Sequence, residues 1–252
     1  MRIALCLALA LASVGALPAR ADDAINTDRP DIANGADVLG RGRLQLETGL
    51  AGDKNRGEHS WGTPLLLRIG LTESWELRID SDGYQRASQD GFTQHGWGDL
   101  GLGAKWHLAE GDGAAPSVGL LGHLSFATGS GGFRGQGTRP ELDLALEWDL
   151  PAGFDLSVMP GLYRDSNDAG QHYTGGVLAL SLGKALDEQT HAFVELAGQQ
   201  LAAARNGGKL VTLDTGLSLL LNKDMQVDAA VFRGLNHQSP DWQWTVGFSV
   251  RY

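Results

Sequence analysis

From Trp242 to Tyr252 the chain alternates between two kinds of side chain without a break. Trp242, Trp244, Val246, Phe248, Val250 and Tyr252 share one face, and Gln243, Thr245, Gly247, Ser249 and Arg251 share the other. A period of two over this length predicts a strand. A strand apolar on one side, polar on the other and aromatic near its ends suits a barrel wall between lipid and a wet interior. The same period recurs from Gly42 onward. It predicts strands at 42–51, 60–71, 74–84, 97–108, 116–128, 139–150, 154–163, 173–186, 190–201, 209–221, 225–234 and 241–252. Long connections (52–59, 85–96, 129–138, 164–172, 202–208, 235–240) alternate with short ones (72–73, 151–153, 187–189, 222–224), and 109–115 departs from the rule. An even strand count with alternating loop lengths predicts an all-β fold: a transmembrane antiparallel up-and-down β-barrel of 12 strands over residues 42–252. A secreted β-sandwich of the same composition gives no reason for that alternation.

The N-terminus supplies a route to a membrane. Arg2 precedes an apolar run, Ile3 to Val14, that is shorter than the roughly 18 residues of a membrane helix. Ala19-Arg20-Ala21 follows as a cleavage site, so residues 1–21 read as a signal peptide removed on export. The single cysteine, Cys6, leaves with it, and the mature chain then has no disulfide or thiolate metal site. Removing Arg2 and Arg20 takes the formal charge from −10 to −12, which argues against a nucleic-acid partner. Residues 22–41 are polar, hold Pro30 and show no period. They are expected to form an irregular segment at the periplasmic mouth or inside the lumen, where Asp28 and Arg29 could pair with wall charges and act as a plug.

Charge follows the strand phase. Glu47, Glu76, Asp80, Asp99, Glu141, Asp143, Glu147, Asp149, Asp155, Glu195, Asp214 and Asp228 alternate inward, and so do Arg43, Arg68, Arg78, Lys105 and Arg251. On the lipid face a charge near the midplane costs about 2–4 kcal/mol, so this phase supports the barrel. The expected lumen or pore-lining set is Arg68, Glu76, Arg78, Asp99, Lys105, Glu141, Asp143, Glu147 and Asp149. A hairpin centred near Glu73 sets Arg68 beside Arg78, and two neighbouring guanidinium groups need an anion from Glu76, the N-terminal segment or a solute. The acidic run Glu141 to Asp149 lies on another strand, which predicts a field across the pore.

Motifs of catalysis fail on context. Gly96-Trp97-Gly98-Asp99-Leu100-Gly101 matches the dinucleotide fingerprint, but Leu102, Ala104, Trp106 and Leu108 continue at period two, so no helix follows. His123-Leu124-Ser125 has the spacing of a base and nucleophile on one strand face, yet both alternate inward, away from a lipid substrate. His59, His95, His107, His172, His191 and His237 show no ligand spacing on one strand. The expectation is no enzyme, no cofactor and no metal.

Several short motifs follow one another in a specific order. They are Ile25-Asn26-Thr27-Asp28-Arg29-Pro30, Gly42-x-x-Gln45-x-Glu47-x-Gly49, Pro64-x-x-x-Arg68-x-Gly70, Glu76-Leu77-Arg78, Gly98-Asp99-Leu100-x-Leu102-Gly103-x-Lys105 and Thr128-Gly129-Ser130. In these the chain resembles the outer-membrane family named for the MetA pathway of phenol degradation, over nearly all of its mature length. Phe126-Ala127 departs from the Leu-Pro expected before Thr128, at a loop entry. The resemblance implies a barrel passing small hydrophobic or aromatic compounds. The resulting expectation is a channel in the bacterial outer membrane for passive uptake or efflux of small molecules. Its expected partners are outer-membrane lipid, a small solute, and the barrel-assembly machinery through the C-terminal strand. A structural or surface barrel with a plugged lumen, and an outer-membrane lipid hydrolase, are the alternatives.

Overall fold

The structure, a computed structural model, describes residues 24–167 and 169–252, so the expected leader at 1–21 lies outside the described residues. Fifteen antiparallel strand segments make up the fold. The first seven are β1 (Leu44–Asn55), β2 (Glu58–Gly62), β3 (Leu65–Gly70), β4 (Trp75–Ser81), β5 (Tyr84–Gln89), β6 (Phe92–Trp97) and β7 (Leu100–Ala109). The remainder are β8 (Ser117–Phe126), β9 (Thr138–Leu150), β10 (Phe154–Ser166), β11 (His172–Ala185), β12 (Thr190–Leu201), β13 (Lys209–Asn222), β14 (Met225–Gly234) and β15 (Trp242–Arg251). Twelve of them close a ring. β1 pairs with β3, then β4, β7 and β8 to β15 follow in order, and β15 returns to β1 with Gln45 opposite Arg251 and Lys54 opposite Trp242. The chain is a transmembrane β-barrel of twelve strands. Closure leaves no sheet edge unpaired in hydrocarbon, where an unmet backbone group is costly.

Apolar side chains form the outer face and polar ones the inner face. Leu142, Leu162, Leu178, Leu196, Leu217 and Val246 are exposed, whereas Gln45, Glu47, Arg68, Glu76, Lys105 and Glu195 are at most 1% exposed. This inversion of a soluble core is the expected state of a barrel in lipid. Aromatic residues mark both ends of the wall: Trp75 and Trp106 stack at 5.0 Å near the short turns, and Trp61, Trp97, Trp242 and Trp244 lie toward the long connections.

Two expected loops are strand. The 52–59 and 85–96 connections belong largely to β1, β2, β5 and β6, with two-residue turns at Arg56-Gly57 and Asp90-Gly91. All four turn residues have positive φ (47°, 94°, 50° and 84°), the backbone of a type I′ hairpin turn. The apolar stripe ends before these strands do, because their outward positions Lys54, His59, Arg86 and His95 are polar. Hydrophobic period therefore ended the predicted strands too early, although Asp90-Gly91 is itself a hairpin signal. β2, β5 and β6 extend the wall beyond breaks at Thr63–Pro64, Asp82–Gly83 and Gly98–Asp99. The 127–137 connection covers the outer edge of β6, with Ser130 N donating to Trp97 O at 2.9 Å.

The lipid face gives a direct test. Val246 is 53% exposed at the middle of β15. Val246→Arg should cost about 2–4 kcal/mol and abolish the heat-modifiable gel shift of the folded barrel, while Val246→Ala keeps it.

Candidate functional site: a lumen filled by the N-terminal segment

An irregular backbone inside a barrel needs acceptors for every amide, and the wall supplies them. The segment enters at the short-turn end, where Ile25 N donates to Lys223 O at 2.7 Å and Ala24 O accepts from Arg251 at 3.2 Å. It crosses the interior and returns to β1. On the way its amides meet wall carboxylates: Asp28 N to Glu47 at 3.2 Å, Ile32 N and Ala33 N to Glu195 at 2.9 and 2.8 Å, Ala36 N to Glu147 at 3.1 Å, and Leu39 N to Glu76 at 2.8 Å. A carboxylate presents two acceptor oxygens with no donor of its own, so it suits bare N–H groups better than any neutral side chain. Ala33 also packs with Met159, Ala179 and Ala197 in a small apolar cluster.

The segment brings its own anion to the bases of the wall. Arg68 stands opposite Arg78 in the β3–β4 register, and Glu76 stands opposite Lys105 between β4 and β7. Arg68 reaches Glu47 at 3.1 Å and Glu76 at 2.9 Å. Arg78 reaches Glu76 at 2.9 Å and makes a very short contact with Asp28. Lys105 Nζ donates to Asp28 at 2.9 Å and to Gly35 O at 3.0 Å. Three bases and three acids thus share one buried network, and Asp28 is its centre. Burial alone would raise the Asp28 carboxyl, but Arg68, Arg78 and Lys105 hold it well below its ordinary value of 3.8. Arg29 turns the other way, to Asp228 at 3.1 Å and Thr245 at 2.6 Å.

A second group has the opposite character. Glu195 faces Asp214 across the β12–β13 register, Thr212 donates to Asp214 at 3.0 Å, and Asp31 accepts from Ser181 at 3.2 Å. Among the described residues no cation contacts these three acids. Burial, and then the charge of Glu195, push the Asp31 carboxyl well above 3.8.

The pore-lining expectations resolve into three environments. Arg68, Arg78, Lys105 and Glu76 are engaged in the network and do not present a bare basic patch to a path. Glu141 and Asp143 border a cavity of about 310 Å³ with Asn34, His123 and Met159, and Glu147 and Asp149 border one of about 380 Å³ toward the short turns. Asp99 is tied up in loop anchoring, taking Gly129 N at 2.7 Å, Gly135 N at 2.9 Å and Arg139 at 2.8 Å. Sequence spacing did not single out Asp31, whose neighbours come from strands about 150 residues away.

Histidines meet carboxylates across strands. His123 Nε2 lies 2.8 Å from Asp80, and His191 Nε2 lies 2.7 Å from Asp155. His123 is therefore turned inward and away from lipid. His107, Asp37 and Glu110 also gather at the short-turn end. Asp37 lies 3.7 Å from Nδ1 and Glu110 lies 3.4 Å from Nε2, so the two acids flank opposite ring nitrogens, and Ala36 O lies 3.2 Å from Nδ1.

Fold and interior together define a twelve-stranded transmembrane barrel with its N-terminal segment bound inside. The chain belongs to the family described as "Putative MetA-pathway of phenol degradation", whose model matches residues 27–252. It is similar in structure to the COG4313 outer membrane channel from Pseudomonas putida F1, with 14% identity, 86% of this chain and 98% of that one covered, and a TM-score of 0.64. The KdgM porin (13% identity, 81% and 98% covered, TM-score 0.54) and the NanC porin (12%, 82% and 98%, 0.54) share the architecture. No curated protein matches the chain by sequence.

Removing the central anion tests the network. Asp28→Ala leaves three buried bases facing two acids, and losing one partner of a buried pair costs about 3–5 kcal/mol. The variant should lose its heat-modifiable form at a lower temperature and become open to trypsin at Arg29. Adding Lys105→Met should recover part of the loss.

Proposed function

We propose that the chain is an outer-membrane channel for passive movement of small molecules, held in a closed or low-conducting state by residues 22–41. The observation that carries this reading is the run of wall carboxylates gripping the segment's amides from opposite sides of the lumen. The segment separates a vestibule of about 480 Å³ at the long-connection end from the cavity of about 380 Å³ at the other. The outer vestibule is lined by the acids Asp31, Asp53 and Asp82 and by Gln85 and Gln243, with Arg29 held by Asp228 and with Ile32 and Phe232 as apolar surface. Such a lining favours small solutes that donate hydrogen bonds, phenolic compounds among them, and prefers cations over anions. This narrows the expected hydrophobic class to molecules carrying a polar hydrogen. The C-terminal strand, ending on Tyr252, is the segment that would engage the barrel-assembly machinery, and a cleaved leader at 1–21 would deliver the chain.

Planar-bilayer conductance tests the channel. Deleting residues 26–38 should raise conductance several-fold over the full mature chain, and an unchanged trace would place the segment off the path. Glu141→Gln with Asp143→Asn should move the reversal potential toward anions in a salt gradient, by less at high salt.

The acids of the segment set a pH dependence. Asp31 has a docked pKa above its free value, so docking is strongest when it is protonated and weakens as pH rises from 3.8 through the docked pKa. Asp28 has a lowered pKa, so its contribution is present above 3.8 and is lost only as pH falls through that lower docked value. Opening events should therefore become rarer as a neutral bath is acidified toward pH 4. Asp31→Asn should be quiet already at neutral pH.

A further inference from the structure

The outward face at the long-connection end carries a row of bases beside its tryptophans. Strand alternation turns Lys54, His59, Arg86, His95 and Arg233 outward, and all five are exposed. They are neighbours by register: Lys54 lies opposite both Trp242 and His59, Trp61 opposite Arg86, Arg86 opposite His95, and Arg233 opposite Trp242. The nearby acids are turned elsewhere. Asp53 faces inward onto Ser60, Glu58 alternates to that same face, and the Asp241 carboxylate takes the Arg56 amide at 3.3 Å. Among the described residues Lys54, His59 and Arg86 have no ion-pair partner. Beneath the row, Gly52 stands between Trp244 and Trp61. A Cβ at Gly52 would come within 2.9 Å of the Trp244 ring and of Ser60 O, so the absent side chain lets that ring lie over the strand as one wall of a groove. The groove is lined by Leu50, Trp61, Trp242 and Trp244, is bordered by Asp53 and Ser60 where their side chains bond to one another, is capped by Lys54 and His59, and measures about 690 Å³.

We infer that this groove binds a lipopolysaccharide of the outer leaflet, with a lipid A acyl chain against Leu50 and the tryptophans and a phosphate on Lys54, His59 and Arg86. Lys54 and His59 stand two strand residues, about 7 Å, beyond Gly52 and Trp61, and Arg86 flanks Trp61 at the same level, which suits a phosphorylated sugar whose acyl chains descend from it. Tryptophan belts lie at the headgroup level, and bases near a membrane surface attract anionic headgroups. A neutral or purely apolar lipid would leave the row unmatched, and a soluble anion would leave the groove empty. The inference rests on the outer-membrane placement proposed above and is independent of conduction.

The test uses the full mature chain refolded in lipid-free detergent and followed by native mass spectrometry. The probes are bisphosphorylated lipid A, fully dephosphorylated lipid A and phosphatidylglycerol. The wild-type barrel should retain one bisphosphorylated lipid A at least tenfold more tightly than either other lipid. Lys54→Gln/His59→Gln/Arg86→Gln should lose about tenfold while keeping its heat-modifiable shift and its conductance, and Lys184→Gln, at the opposite rim, should bind like the wild type. Gly52→Val should weaken binding by displacing the Trp244 ring that walls the groove, and the basic-row variant decides the matter if Gly52→Val fails to fold. Equal retention of the dephosphorylated lipid, equal retention of phosphatidylglycerol, or undiminished binding by the triple variant would overturn the inference. A silent channel that still binds lipid A would count against the channel reading alone.

Discussion

A polypeptide segment without secondary structure can lie inside a membrane barrel only if its amides find acceptors that water would otherwise provide. Here Glu47, Glu76, Glu147 and Glu195, on four different strands, each take one or two amides of residues 28–39. The other features of the interior follow from that demand. Acids placed as acceptors bring negative charge into a narrow space, and Arg68, Arg78 and Lys105 balance it on one side. Asp28 completes that balance from the segment itself, so wall and segment are electrostatically incomplete without one another. On the side of Glu195 and Asp214 no base answers, and Asp31 is pushed toward its protonated form. One interior thus holds a charged anchor and an anchor sensitive to acid.

The barrel was legible because lipid and lumen impose opposite polarity on alternate residues. From Leu100 to Leu108, and again from Trp242 to Tyr252, every second side chain declares its face. The same logic misjudged 52–59 and 85–96, where Lys54, His59 and Arg86 end the apolar stripe while the ladder of backbone hydrogen bonds continues. Pattern reports solvent, and solvent changes there before secondary structure does. The inward phase of Glu141, Asp143 and Glu147 was equally readable, but their separate surroundings were not. Glu147 meets Ala36 from 111 positions away, and nothing in local spacing encodes that meeting.

The same limit applies to the N-terminal segment. Its composition marks it as irregular, and its attachment to the first strand keeps it near a wet surface, but which carboxylate takes which amide depends on closure of the ring. Arg29 illustrates this: its partners Asp228 and Thr245 lie on the last two strands, beside β1 only because β15 pairs with it. Closure also brings Trp242 and Trp244 beside Lys54 and Gly52, which completes the outer groove. The outer and inner faces of one seam therefore carry separate chemistry.

The central claim is that the segment controls the path while it is docked against the wall. Residues 22–252 hold no cysteine, so an engineered pair within them is unambiguous. Ala33→Cys with Ala197→Cys joins the segment to the wall through the cluster they share. Single-channel recording before and after reduction is the most direct measurement. The account predicts a nearly silent oxidised barrel whose openings return when the disulfide is reduced; identical traces in the two states would contradict it.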